Sequence, residues 1–403
     1  MHVEVAFQDE RIDLEVPEGR LVGAWHGPRG VAGSDLAPLL DEALEHPHAF
    51  PPLRQAVVPG DHVVIALGAD VPEATEAITA VCRVLEHAGV APRDITLVVE
   101  PEAPEVRVSD LPPGILLHRH DPEDQTHIAY LSNTAEGRRV YLNQELTDAD
   151  LVVPIGRLAH DRVLGHRGPW GVIFPGLSDA PTRQAYRAWA AHVKPGGKQL
   201  PRTLKESVEV SWLLGCQFQL GLVPGITGVA EVLAGEGPTV VERGTAAVDR
   251  AWGFQAEARA ELVVVGVGRP GEKTGIDDLA RGLANATRLA QHGGKIVVLS
   301  RAEGEVGPAL RRLRNVDDPR AALAVLKGHE ADSDHAAACQ IAQTLAWADV
   351  YLLSALGRDL VEELSMIPLD RPEETQRLVS VSGSCLVVSQ ADLGHAWVAD
   401  EAG

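Results

Sequence analysis

Residues 261–300 read ELVVVGVGRPGEKTGIDDLARGLANATRLAQHGGKIVVLS. The opening run ELVVVGVG is short, apolar and rich in β-branched residues, which predicts a buried strand. Helical spacing then predicts a helix over 277–292, stopped by the glycines of HGGK. KIVVLS supplies the next strand. A strand, a helix and a second strand in this order form a βαβ unit, whose strands run parallel.

The same alternation recurs upstream and downstream. Residues 38–45 read as a helix, 62–67 within VVPGDHVVIALGA as a buried strand, 73–88 as a helix ending at Gly89, and ITLVV at 95–99 as a strand. LVVPIG at 151–156 adds a strand after the acidic turn TDAD. A helix over 335–346 precedes the strand VYLLSA, and LVVSQA near 386 is a further strand. The first residues, MHVEVAFQDERIDLEV, alternate apolar and polar like a hairpin. The expected fold is α/β, with two domains whose largely parallel sheets are flanked by helices. The expected N-terminal domain spans 1–255 and the C-terminal domain 256–385, meeting near 253–260, with 386–403 as a tail returning to the N-terminal domain.

A chain of 403 residues exceeds the size at which one core stops growing, which agrees with two domains. Its formal charge of −21, from 36 basic and 57 acidic residues, argues against nucleic acid as a partner. Cys82, Cys216, Cys339 and Cys385 are widely spaced and lack CxxC pairing, so they read as reduced packing residues. Neither a basic and apolar leader nor a run of about 18 apolar residues is evident. The expectation is a soluble, cytoplasmic protein without a membrane partner. No sequence feature sets an oligomeric state.

Two segments carry the residue types of chemistry. Gly266, Gly268 and Gly271 form G-x-G-x-x-G between a strand and a helix, the context of a dinucleotide-binding turn. Arg269 and Pro270 fill its variable positions, however, and Ser300 and Arg301 stand where a ribose-binding acid belongs. An NAD(P)-dependent oxidoreductase and a purely structural turn both remain open. The second segment is GRLAHDRVLGHRGPWGVIFPG, 156–176, a loop mixing histidines, arginines, a Trp and glycines. Glycines let a backbone wrap a bound group, and His160 and His166 have side chains that titrate near neutrality, which suits proton transfer. The alternative is that both imidazoles only satisfy local backbone groups. Farther on, HVKPGGK begins at His192 and brings two lysines to a turn suited to a carboxylate or phosphate.

At the 156–176 loop the chain resembles the nickel-pincer lactate racemase family. ADLVVPIGRLAH, through His160, is similar to that family's A-D-L-V-I-x-x-G-x-I-x-P-H, and VIFPG, through Pro175 and Gly176, to its apolar run and P-G. LLDEALEHPHAFPPLRQAVVPGDHVVIAL, GVGRPGEKTGIDDLARGLANA and GGKIVVLSRAEGEVG resemble further blocks in the family's order, so the likeness covers roughly 35–390. It implies two domains flanking a cleft and a racemase or epimerase of a 2-hydroxy acid.

The family's cofactor is a pyridinium mononucleotide whose thio-acid sulfurs and ring carbon bind nickel. It takes a hydride from the carbinol carbon while histidines exchange the hydroxyl proton. The resemblance implies that His160 is an acid/base, with His166 in the same loop as a second candidate, and that Gly165, Gly168, Trp170, Pro175, Gly176 and Asp70 contact the cofactor. The family's nickel-ligating histidine has no in-register match, and His192, about five residues later, is the candidate for it. Arg281 stands where the family has a lysine and would orient the substrate carboxylate. Gly171 replaces the lysine that tethers the cofactor, which implies noncovalent binding. ADVPE at 69–73 and PEAPEV at 101–106 replace the family's D-x-T-R-P and G-T-H-R. A relative that binds a small acid or nucleotide without turnover is the competing expectation.

Overall fold

The computed structural model describes residues 1–103, 106, 109, 111–161, 164–190, 202–314, 316, 318, 321–330 and 332–399. The chain falls into two compact units. One takes in Pro28–Tyr186 and residues 202–251; the other takes in Met1–Gly27 and the chain from Trp252 onward.

The first unit is built on a six-stranded sheet, ordered Val229–Glu236, Phe218–Pro224, Leu151–Arg157, Val63–Leu67, Ile95–Val99 and Leu116–Arg119. All neighbours are parallel except the first pair. Every residue of VVIAL at 63–67 and ITLVV at 95–99 is buried, because both faces of the sheet are covered. The helix Ala74–His87 links these two strands and buries Ile78, Val81, Cys82 and Leu85 against one face.

The second unit is also built on a six-stranded sheet, all parallel, ordered Ile367–Pro368, Asp349–Leu353, Ala290–Leu299, Ala260–Gly266, Cys385–Val388 and Leu21–Trp25. The βαβ unit read from residues 261–300 lies at its centre, with the helix at Ile276–Leu289. The antiparallel hairpin His2–Phe7 and Glu10–Glu15 covers one face, burying Val5, Phe7 and Leu14 against Leu262, Val264 and Val387.

This arrangement differs from the expected domain division at both ends of the chain. Leu21–Trp25 pairs with Cys385–Val388, so the first 27 residues belong with the C-terminal half. Cys385–Val388 in turn pairs with Ala260–Gly266, and His395–Val398 with Gly253–Ala256, so the described tail stays within the same unit. The cause is backbone pairing between segments distant in sequence, more than 350 residues apart for Leu21–Trp25 and Cys385–Val388, which leaves no local pattern in the sequence. All four thiols are buried and none is in a disulfide. No helix among the described residues is long and apolar enough to cross a membrane.

Candidate functional site

In the first unit, the chain runs from Val63–Leu67 outward through Ile95–Val99 and Leu116–Arg119, then returns to place Leu151–Arg157 on the other side of Val63–Leu67. Strand order therefore reverses between Val63–Leu67 and Leu151–Arg157. In open α/β sheets the crevice beyond the carboxyl ends of strands at such a reversal is the usual ligand site. Three adjacent strands end there on Asp70, Glu100 and Arg157, with Gly68 N–H donating to Ile155 O and Glu100 N–H to Leu67 O.

Asp70 adopts a left-handed conformation, with φ of 50°. Its carboxylate accepts from Arg157 Nη1 at 2.6 Å and is also paired with Arg167 Nη2, which donates as well to Ala69 O. Burial opposes charge on Arg167, but the carboxylates of Asp70, Asp161 and Glu100 outweigh it and raise its pKa. Glu100 accepts from Ala69 N–H at 2.9 Å, yet burial pushes its carboxyl up to about 7. Arg183 pairs with Glu102 and donates to Gly176 O, closing the same edge.

The 156–176 segment is not an open loop. Ala159–Asp161 and Gly165–Arg167 form a small antiparallel hairpin in which His160 is the cross-strand partner of His166. Directly opposed residues project from the same face, and the two rings lie 4.9 Å apart between centroids. Asp161 accepts from Leu164 N–H and closes the turn. Both histidines meet Asp249, on the helix Gly237–Trp252: His166 Nε2 is 2.8 Å from Asp249 Oδ1, and His160 Nε2 is 3.6 Å from the same oxygen. The side chains are 9% exposed for His160, 20% for His166 and 52% for Asp249, so the cluster is sheltered at its floor and open on the carboxylate side. Both histidines thus share a carboxylate, and more than local backbone groups engages them.

The remaining expected residues are distributed unevenly. Trp170 is wholly buried and its indole N–H donates to His166 O, so it supports the hairpin and cannot touch a bound group. Gly168 makes room for the Trp170 ring, which would lie 2.5 Å from a Cβ there. Gly176 lies against Glu100, whose Oε1 would be 2.1 Å from a Cβ. Gly165 turns the hairpin, with φ of 73°, and Pro175 follows a cis peptide bond after Phe174. Arg281 belongs to the second unit. It pairs with Asp278 and lines an open depression of about 520 Å³ whose other charged residues, Asp277, Asp278, Glu303, Glu305 and Asp334, are all acids. Those surroundings repel a carboxylate and oppose the role expected of Arg281. His192 lies outside the described residues.

The Gly266–Gly271 turn has its amides already engaged. Gly268 N–H donates to Asp392 Oδ1 and Gly271 N–H to Asp9 Oδ1, while a Cβ on Gly266 would meet Ala6 O at 2.0 Å. Two carboxylates occupy the amides a pyrophosphate would need, which favours the structural reading of these glycines. His120, another histidine at the sheet edge, is buried. Its ring nitrogens contact Ser178 O and Asn143 Nδ2, and burial lowers its pKa.

Sequence reasoning missed Asp249 and Glu100. Asp249 lies in RGTAAVDRAW, where it reads as a solvated helix charge, and its distance of 83 residues from His166 hides the pairing. Glu100 carried one usable signal, its position immediately after the strand ITLVV.

Residues 7–194 match the family model of the lactate racemase N-terminal domain. Among solved structures, the chain is similar to the lactate racemase apoprotein from Thermoanaerobacterium thermosaccharolyticum, at 14% identity and a TM-score of 0.78, covering 98% of this chain and 99% of that one. It is also similar to a protein from Thermotoga maritima, at 12% identity and a TM-score of 0.63, covering 93% of this chain and 100% of that one. No curated protein matches in sequence. Likeness at these identities establishes the fold.

Proposed function

We propose that this chain, whose residues 7–194 match the lactate racemase N-terminal domain, is an isomerase of the racemase or epimerase type acting on a small 2-hydroxy acid, with His160 exchanging the hydroxyl proton. The observation that carries the reading is the His160–His166 pair, set opposite Asp249 on a hairpin that Arg167 ties to the strand-order reversal. An imidazole can take and return a proton near neutral pH. In this reading His160 receives the hydroxyl proton on a ring nitrogen, and His166 is the second group able to hold it. Asp249 supplies the negative charge that compensates either imidazolium. Arg167 follows His166 in the same strand, and its guanidinium, kept charged by three carboxylates and paired with Asp70, anchors the hairpin at the strand ends.

A nickel-pincer nucleotide held without a covalent bond is the cofactor implied by the resemblance, and it would supply the hydride half of such an isomerisation. The described residues do not fit it as a ready cradle. Gly171 offers no amine, and the side-chain directions of Gly156, Gly168 and Gly176 are filled by Pro169, Trp170 and Glu100 rather than open to a ligand. Asp70 is taken by two arginines. No step is therefore assigned to that group, and the proton half is what these residues account for.

The test is interconversion of single enantiomers of a panel of 2-hydroxy acids by the full-length chain, followed by chiral chromatography. Protein made with and without the enzymes that build the pincer nucleotide should be compared. Appearance of the opposite enantiomer in either preparation supports the proposal. Saturable binding of an acid with no interconversion in either would instead make the chain a small-acid binder.

A further inference from the structure

The hairpin histidines and the helix carboxylate facing them converge on a different kind of ligand. A ring nitrogen of His160, a ring nitrogen of His166 and an oxygen of Asp249 all lie within 4.8 Å of one another. We infer that His160, His166 and Asp249 form a binding site for a bare divalent transition-metal ion of the zinc, cobalt or nickel type.

The argument is geometric and chemical. Two imidazole nitrogens and one carboxylate oxygen are the donor set that borderline first-row ions favour, and three protein ligands leave a fourth position for water or substrate. Around a tetrahedral ion with bonds of about 2.0–2.2 Å, ligand atoms stand roughly 3.3 Å apart. The distances to Asp249 Oδ1, 2.8 Å from His166 and 3.6 Å from His160, bracket that spacing.

The supports are also in place. The histidines are fixed in register by backbone pairing, and the carbonyl of His166 is held by the Trp170 indole. Ligands on a hairpin and a helix of one compact unit need no large rearrangement. Asp249, the most exposed of the three, faces the side from which a hydrated ion would enter. Two imidazole nitrogens and one carboxylate oxygen are thus brought within reach of a single ion.

This inference goes beyond the hydroxy-acid reading and does not depend on it. An ion bound here uses the nitrogen lone pairs that would carry the transferred proton, so ion and proton compete for the same atoms. The test needs no substrate. Full-length protein, stripped with a chelator, is titrated with Co²⁺ and followed by visible absorption and calorimetry. One Co²⁺ per chain is expected, with absorption typical of tetrahedral or five-coordinate cobalt. Replacement even of groups that only orient metal ligands typically costs about 10–100-fold in affinity, so His160→Ala, His166→Ala and Asp249→Asn should each lose at least about tenfold. Asp249→Asn keeps the side-chain shape, and His166→Asn replaces His166→Ala should the latter fail to fold. A wild-type chain that takes up no Co²⁺, or a loss smaller than tenfold in any folded variant, would mean that any binding occurs at other histidines and overturns the inference.

Discussion

Glu100 ends the strand Ile95–Val99 beneath the candidate site, and burial raises its carboxyl from an ordinary 4.5 to about 7. Between those two values the folded chain holds a proton that the unfolded chain has released. Its contribution to stability therefore falls as pH rises from about 4.5 to about 7 and is level above that, by no more than about 3 kcal/mol. Glu100→Gln keeps an acceptor for the Ala69 amide and removes the ionisation. Its urea unfolding midpoint should rise relative to wild type between about pH 5 and about pH 8. A constant difference across that range would show that Glu100 does not titrate there. At this scale His160 and His166 were legible, because imidazoles in a glycine-rich loop after a strand are unusual. Asp249 was not, because a single carboxylate on a helix acquires its partner only through folding.

The hairpin carrying the histidines is held to the sheet by close backbone contact. A Cβ at Gly156 would lie 2.5 Å from Pro169 N and 2.7 Å from Gly168 C, whereas one at Gly171 would meet only Leu164 Cδ1, at 3.2 Å. Gly156→Ala should therefore cost about 1–3 kcal/mol, as overpacking against rigid backbone does, and Gly171→Ala distinctly less. Equilibrium denaturation of the two variants checks this, and equal costs would refute the packing account. The hairpin itself escaped sequence reading: strands of three residues, Ala159–Asp161 and Gly165–Arg167, are too short for alternation to register. Most longer elements were legible within a residue or two, as with the helix expected at 73–88 and found at Ala74–His87, although the helix expected at 277–292 gives way after Leu289 to the strand Ala290–Leu299.

The whole molecule is less legible than its parts, since pairing of Leu21–Trp25 with Cys385–Val388 joins the ends of the chain without a local signal. Deleting residues 1–27 should strip a strand and a covering hairpin from the second unit. That exposes Leu262, Val264, Val297 and Val387. The truncated chain should bind a hydrophobic dye and lose one unfolding transition while keeping that of the unit containing His160; an unchanged unfolding profile would contradict this assignment. The fold class and the family likeness were readable because βαβ patterning and motif order survive at 14% identity, whereas the chemistry depends on a few side chains. The most direct measurement of the central claim is turnover of a responsive 2-hydroxy acid by wild type and His160→Ala, compared at matched thermal stability. Loss of a general acid/base typically slows a reaction by about 10²–10⁴-fold, and that is the predicted result. Equal rates in the two proteins would contradict it.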